Sequence, residues 1–174
     1  MSAEEDAPNP LDDPVFVAGL RPIPSGSPSG SVSRPASDLA GVSPGGDRVE
    51  VVLAHLEGPV LLCFLHIRCD GCDQFWRGLA DDVSAQPPGS SELPDTVTAV
   101  VVTKGPGSVD RVEVARVASG VTRTVVMSDQ AWADYRVSAY PFFVLVDPGS
   151  MSVLGETVGF GWSDVRSMIR AGGR

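Results

Sequence analysis

The apolar positions of the chain fall into short runs separated by turn residues, and the densest run fixes the reading of the rest. From Val60 to Leu65 every residue is aliphatic, aromatic or cysteine, the pattern of a strand buried on both faces. The chain then turns polar, and Phe75, Leu79 and Val83 follow at helical spacing with Trp76 and Ala80 beside them. This predicts a helix from near Cys72 to about Val83. Arg48 to Leu53 alternates weakly, as an edge strand does. The segment 85-AQPPGSSELPD-95 reads as a loop and Thr96 to Thr103 as a second central strand. Residues 109–119 read as a helix with Ser108 as N-cap and Gly120 as its stop. Val121 to Met127 is a third strand and Asp129 to Tyr135 a short helix. Phe142 to Val146 is another continuous apolar strand, reached through Tyr140-Pro141, where a proline costs no ladder bond. Val153 to Phe160 is its antiparallel partner across Pro148-Gly149. A last helix, capped by Ser163, carries Val165, Met168 and Ile169 on one face. Strands alternating with helices, closed by a hairpin and a helix, predict an α/β three-layer α/β/α sandwich with a central mixed sheet.

Composition divides the chain. Eight of the 15 prolines fall in the first 44 residues, together with 22-PIPSGSPSGSVSRP-35, a mixture that buries too little apolar surface to stay ordered. The expectation is a flexible acidic tail over 1–46 and one domain over 47–174, a length suited to a single core. Within the tail only Pro14 to Leu20 gathers apolar residues, a stretch that docks on the domain or a partner if it is more than linker. The net charge of −9 and the scatter of the 13 basic residues leave no footprint for phosphates, so nucleic acid is not an expected partner. One lysine, Lys104, stands against 12 arginines, the bias of a GC-rich, bacterial genome. No stretch approaches the roughly 18 apolar residues of a transmembrane segment. The start, Met-Ser-Ala-Glu-Glu-Asp, has no signal-like pattern. The sequence as written therefore predicts a soluble, cytoplasmic chain, with an extracytoplasmic place open only if the start is misassigned.

The chemistry concentrates at 66-HIRCDGC-72, where the buried strand becomes a helix. A C-x-x-C beside such a junction reads as a redox motif. A thiol is a nucleophile as its thiolate, and the free N–H groups and dipole of a helix N-terminus stabilise that charge. Cys69 is placed to receive this help. Arg68 adds to it, and Asp70 opposes it by like charge. Cys72, a turn inside, is expected to be more buried and protonated until it attacks. Cys63, inside the strand, reads as a small buried hydrophobe.

A strand ending in C-x-x-C at a helix start, then Tyr140-Pro141 opening a strand that runs into V-L-V-D, then a hairpin and a helix, resembles the thioredoxin-like fold over residues 48–172. The added strand and helix at 96–119, before 121-VTRTVVMSDQAWADYRVSAYPFFVLVD-147, resemble the insertion of TlpA/ResA-type thiol-disulfide oxidoreductases. The resemblance implies that Cys69 is the nucleophile and Cys72 the resolving thiol. It also implies a cis Pro141 that lines the substrate groove with Tyr140, and a docking rim of Arg68, Asp70 and Gly71. It implies no cofactor beyond the redox-active disulfide. The partners it implies are a protein thiol or disulfide substrate and an unidentified electron donor. Two positions differ from the thioredoxin pattern. Arg68 stands where a tryptophan is usual, and Cys63 stands six residues before Cys69, where a buried aspartate accepts the proton of the resolving thiol.

Two other readings share the motif. His66-x-x-Cys69-x-x-Cys72 offers one imidazole and two thiols, a soft set suited to Cu(I) in a copper-handling protein, although His66 and Cys69 have opposite strand parity and structural zinc wants four ligands. A degenerate scaffold whose cysteines merely persist is the other. A peroxidase is disfavoured because His66, three residues before Cys69, takes the place of the Thr or Ser that activates a peroxide.

Overall fold

The computed structural model describes residues 34–81 and 92–173. Seven strands lie in these residues: β1 (Leu39–Val42), β2 (Arg48–Val51), β3 (Val60–Phe64), β4 (Thr98–Thr103), β5 (Thr124–Met127), β6 (Phe142–Asp147) and β7 (Ser152–Val158). With them run four α-helices: α1 (Asp70–Asp81), α2 (Arg111–Val117), α3 (Asp129–Asp134) and α4 (Trp162–Gly172). The strands form one mixed sheet in the order β2-β1-β5-β4-β3-β6-β7. Strand β3 runs parallel to β4 and antiparallel to β6, so that Cys63 lies between Val101 and Phe143. Strand β4 runs parallel to β5, and β6 and β7 form a hairpin.

The period of two along each strand divides the core into two layers. Leu61 and Cys63 of β3, Val101 of β4 and Phe143 and Leu145 of β6 face one side, where they meet Cys72, Phe75, Trp76 and Leu79 of α1, Val114 of α2 and Trp162, Val165 and Met168 of α4. Val60, Leu62 and Phe64 face the other side, against Ala131 and Trp132 of α3 and Tyr135 just beyond it. This is the α/β/α sandwich that the pattern predicts. All five residues of β3 are fully buried, and each such side chain contributes about 1.5–3 kcal/mol relative to an exposed one.

Several boundaries differ from the sequence expectation, each for a local reason. Helix α1 begins at Asp70 rather than near Cys72. The N-cap of α2 is Asp110, whose carboxylate accepts from Val112 and Glu113 N–H, while the Ser108 hydroxyl donates to Asp129 instead. The N-cap of α4 is Gly161 and not Ser163, with Asp164 in the first turn accepting from Phe160 and Gly161 N–H. That bond, with Gly159 N–H donating to Pro141 O at 3.1 Å, ends β7 at Val158 instead of Phe160.

The tail expected over 1–46 gives up its last part to the domain. Arg34 pairs with Glu156, Pro35 bridges Ser152, and the Tyr135 hydroxyl donates to Ser37 O at 2.7 Å. Strand β1 then lies between β2 and β5. It comes so close to β5 that a Cβ on Gly41 would sit 2.2 Å from Met127 O. A four-residue strand holding one leucine and one valine is lost in an average dominated by proline and serine. The rest of the tail, with Pro14 to Leu20, and most of the loop at 85–95 lie outside the described residues. Among the described residues no helix is long and apolar enough to cross a membrane.

Helix α1 is seated against α4 through a small residue. A Cβ on Gly78 would lie 2.5 Å from Trp162 Nε1 and within 3 Å of two further ring atoms, and Trp162 is itself packed against Phe75 and Phe143. Gly78→Ala is expected to destabilise the fold by up to about 2 kcal/mol in chemical denaturation, the overpacking cost of about 1–3 kcal/mol being offset in part by the helix-propensity gain of about 1 kcal/mol.

Candidate active site

Parallel pairing places the C-terminal ends of β3, β4 and β5 at one rim of the sheet, and the start of β6 and end of β7 meet them there. From β3 the backbone stays in register for one more residue, Leu65 N–H donating to Val102 O at 3.1 Å, and then leaves the sheet. Cys69 directly precedes the first residue of α1, and Cys72 N–H donates to Cys69 O at 2.9 Å, which folds the motif into the opening turn. Trp76, one turn further and nearly fully buried, donates its indole N–H to His66 O at 3.4 Å and ties the helix back to the chain entering the motif.

The three cysteines are free thiols in unequal surroundings. Cys69 is partly exposed. Cys72 is fully buried, and burial, then a hydrogen bond with the Cys69 side chain, push its thiol up to about 12, against the pull of the His66 backbone N–H. That N–H donates to Cys72 Sγ at 3.5 Å. Cys63 lies in the same apolar layer as Cys72, and burial pushes it up to about 12 as well.

Pro141 arrives at the same place from β6. The Tyr140–Pro141 peptide is cis. A Cβ on Gly71 would lie 3.6 Å from Pro141 Cδ and 3.9 Å from Cys69 Sγ, so the turn between the two cysteines faces the proline. Tyr140 is 42% exposed. Its ring stacks on the His66 imidazole at 5.0 Å and meets Trp132 edge-on at 5.8 Å, with Lys104 Nζ 4.6 Å from the Trp132 ring centre. Desolvation, then the charges of Arg68 and Lys104, hold the His66 imidazole below its usual range. Arg68 and Asp70 are exposed, and the Arg68 guanidinium reaches Glu113 of α2 at 3.1 Å.

The expected residues Cys69, Gly71, Cys72, Tyr140 and Pro141 thus converge. The alternative ligand set does not. His66 Nδ1 accepts the Arg68 backbone N–H at 3.0 Å and its ring lies on Tyr140. Among the described residues no three His, Cys, Asp or Glu side chains gather as metal ligands. Sequence reasoning missed Glu113, Gln74 and Phe160. Gln74 Nε2 donates to both Gly71 O at 3.4 Å and Phe160 O at 3.0 Å. An aromatic between two glycines after a strand, Gly159-Phe160-Gly161, was the available signal for this loop.

The unequal burial has a direct readout. On the reduced chain at pH 8, iodoacetamide is expected to modify Cys69 first by peptide mass spectrometry. With thiols near 12, only about one in ten thousand molecules carries a thiolate at Cys63 or Cys72.

No protein-family model matches the chain, and no curated protein matches it. Solved structures do. A secreted Mycobacterium tuberculosis disulfide oxidoreductase described as homologous to E. coli DsbE is 20% identical, with 76% of this chain and 95% of that one covered and a TM-score of 0.53. A putative thiol:disulfide interchange protein DsbE from Chlorobium tepidum is 20% identical over 80% of this chain and 96% of that one, with a TM-score of 0.60. A thiol:disulfide interchange protein of the thioredoxin family from Chlorobium tepidum TLS is 14% identical over 82% and 97%, with a TM-score of 0.57. With a mixed sheet flanked by helices and a strand that leads into the C-x-x-C helix, the chain has the thioredoxin-like fold of these proteins.

Proposed function

We propose that the chain is a thiol-disulfide oxidoreductase that exchanges disulfides with a partner protein through Cys69 and Cys72. The observation that carries this reading is the graded burial of the pair, with Cys69 accessible at the start of α1 and Cys72 fully buried behind it, and the Gly71 turn between them facing Pro141. The likeness in fold to disulfide interchange proteins supports the same reading.

In the first step the Cys69 thiolate attacks one sulfur of the partner's disulfide. A Cys69–partner bond forms, the partner's S–S bond breaks, and the departing thiolate takes up a proton. The segment of partner so held lies against Pro141 and Tyr140, within the rim of Arg68, Asp70 and Gly71. In the second step Cys72 loses its proton and attacks the Cys69 sulfur. The Cys69–Cys72 disulfide forms, the second partner thiolate leaves, and two electrons have passed to the partner. A separate electron donor then returns the pair to thiols. The reverse sequence oxidises a partner dithiol, and relative potentials set the direction. The protein needs no cofactor for this chemistry besides its own disulfide.

The resolving step is the costly one. Cys72 must ionise from a fully buried position, and its neighbour in the layer, Cys63, is itself a thiol pushed up to about 12, so it accepts no proton at neutral pH. The His66 N–H, which donates to Cys72 Sγ at 3.5 Å, favours the thiolate that develops there as the proton leaves.

Two variants test the scheme. Reduced Cys72→Ser mixed with a disulfide-bonded peptide is expected to keep one peptide thiol attached to Cys69 by mass spectrometry, whereas the wild-type chain goes on to the Cys69–Cys72 disulfide. Absence of the adduct in the variant would sink the proposal. Cys63→Asp supplies a buried proton acceptor on the same face, and the mixed disulfide is expected to decay on the order of tenfold faster. An unchanged or slower decay in a folded variant shows that a missing base does not limit the step.

A further inference from the structure

His66 divides its contacts between backbone and ring. Its N–H donates to Cys72 Sγ at 3.5 Å, and its carbonyl accepts from the Trp76 indole at 3.4 Å. Both bonds belong to the main chain and hold the start of α1 whatever side chain stands at this position. The imidazole makes two further contacts of its own. Its Nδ1 accepts the N–H of Arg68, the residue before Cys69, at 3.0 Å. Its face stacks on Tyr140, with ring centres 5.0 Å apart and planes at 17°.

These two ring contacts run to opposite halves of the site. One grips the peptide that leads into the nucleophile. The other reaches the residue that precedes the cis bond to Pro141. Tyr140 is backed in turn by Trp132, which meets it edge-on at 5.8 Å. Trp132 is 2% exposed and packs on Phe64 of β3, so the aromatic row is anchored in the core at one end and at the Cys69 turn at the other. Gly71, the other point where the halves approach, faces Pro141 without a side chain to hold it. Imidazole suits the bridging place because it is a flat ring with an acceptor next to its point of attachment. Phenylalanine stacks but accepts no hydrogen bond, and asparagine accepts one but offers no ring.

We propose that His66 is a positioning residue for the attack of Cys69 on the partner's disulfide. Its imidazole holds the Arg68–Cys69 peptide at a fixed distance from the Tyr140–Pro141 loop, so that the attacking sulfur and the loop against which the partner lies stay aligned. Alignment of this kind matters because a displacement of about 1 Å between reacting groups costs on the order of a hundredfold in rate. The inference rests on the oxidoreductase reading and adds to it a residue outside the two thiols and the proline. The ring acts on geometry and not on the thiolate, and its role requires no transfer of a proton to or from it.

The test compares two reagents on the reduced full-length chain: a cystine peptide, which must lie against Tyr140 and Pro141 to react, and iodoacetamide, which needs Cys69 alone. For His66→Leu, which removes both ring contacts, the rate of exchange with the peptide is expected to fall about tenfold. Alkylation of Cys69 by iodoacetamide stays at the wild-type rate. His66→Phe keeps the stack and His66→Asn keeps the acceptor, and each recovers part of the loss, to about threefold below the wild type. If His66→Leu does not fold, these two variants carry the same comparison. Wild-type exchange in a folded variant, an equal fall with both reagents, or no recovery by either partial variant overturns this proposal and leaves the oxidoreductase reading intact. A wild-type chain that is alkylated at Cys69 but exchanges with no disulfide overturns both readings.

Discussion

The site depends on one constraint, the burial of β3 on both faces and its pairing along both edges. A strand in that position cannot slip by one residue without turning Leu61 and Cys63 into the layer occupied by Leu62 and Phe64. Its register with β4 and β6 is fixed as firmly as anything in the molecule. The point at which the chain leaves the sheet is fixed with it, and so are the start of α1 and the depth of the two thiols. The backbone bonds at Leu65 and Cys72 and the indole of Trp76 are local refinements of a position already dictated by the centre of the sheet.

The same burial creates the chemical asymmetry of the pair. One end of the C-x-x-C turn meets solvent and the other meets the apolar layer beneath α1, so two identical side chains three residues apart differ in accessibility, and burial makes the inner one hard to ionise. Cys63 deepens the asymmetry. It fills its place in the layer as a valine would and gives Cys72 no help with its proton. The N–H of His66 offers partial compensation from the backbone, which only a proline at that position would remove.

Much of this was legible in the sequence because it is periodic or local. The continuous run at 60–65 announced a fully buried strand, the 3.6-residue spacing of Phe75 and Leu79 announced the helix, and Tyr140-Pro141 ahead of an apolar run announced the strand that brings the proline to the cysteines. What was not legible depends on contacts distant in sequence. Ser108 and Asp110 are equally good caps on paper, and Asp129, twenty-one residues from Ser108, decides between them by taking the serine hydroxyl. The pairing of Arg68 with Glu113 and the bridge from Gln74 to Phe160 join segments 45 and 86 residues apart, and no window of sequence contains both ends. His66 stands at a ligand's spacing from the cysteines, although a packed or solvent-edge histidine is the favoured reading of the sequence. Its ring proved to be held by Tyr140, whose position only the sheet determines.

Strand β1 carries a practical lesson. It lies in a region whose composition resembles linker, yet it meets the end of β5 on the side that faces away from β4, with Val42 opposite Met127 and Gly41 pressed against Met127 O. A shortened chain cut at the compositional boundary would remove β1, leaving β2 without the strand it pairs with over four residues and the Met127 end of β5 uncovered, an open template for another molecule's strand. The described fold includes the chain from Arg34 onward, so a boundary drawn from composition alone would cut through the sheet itself.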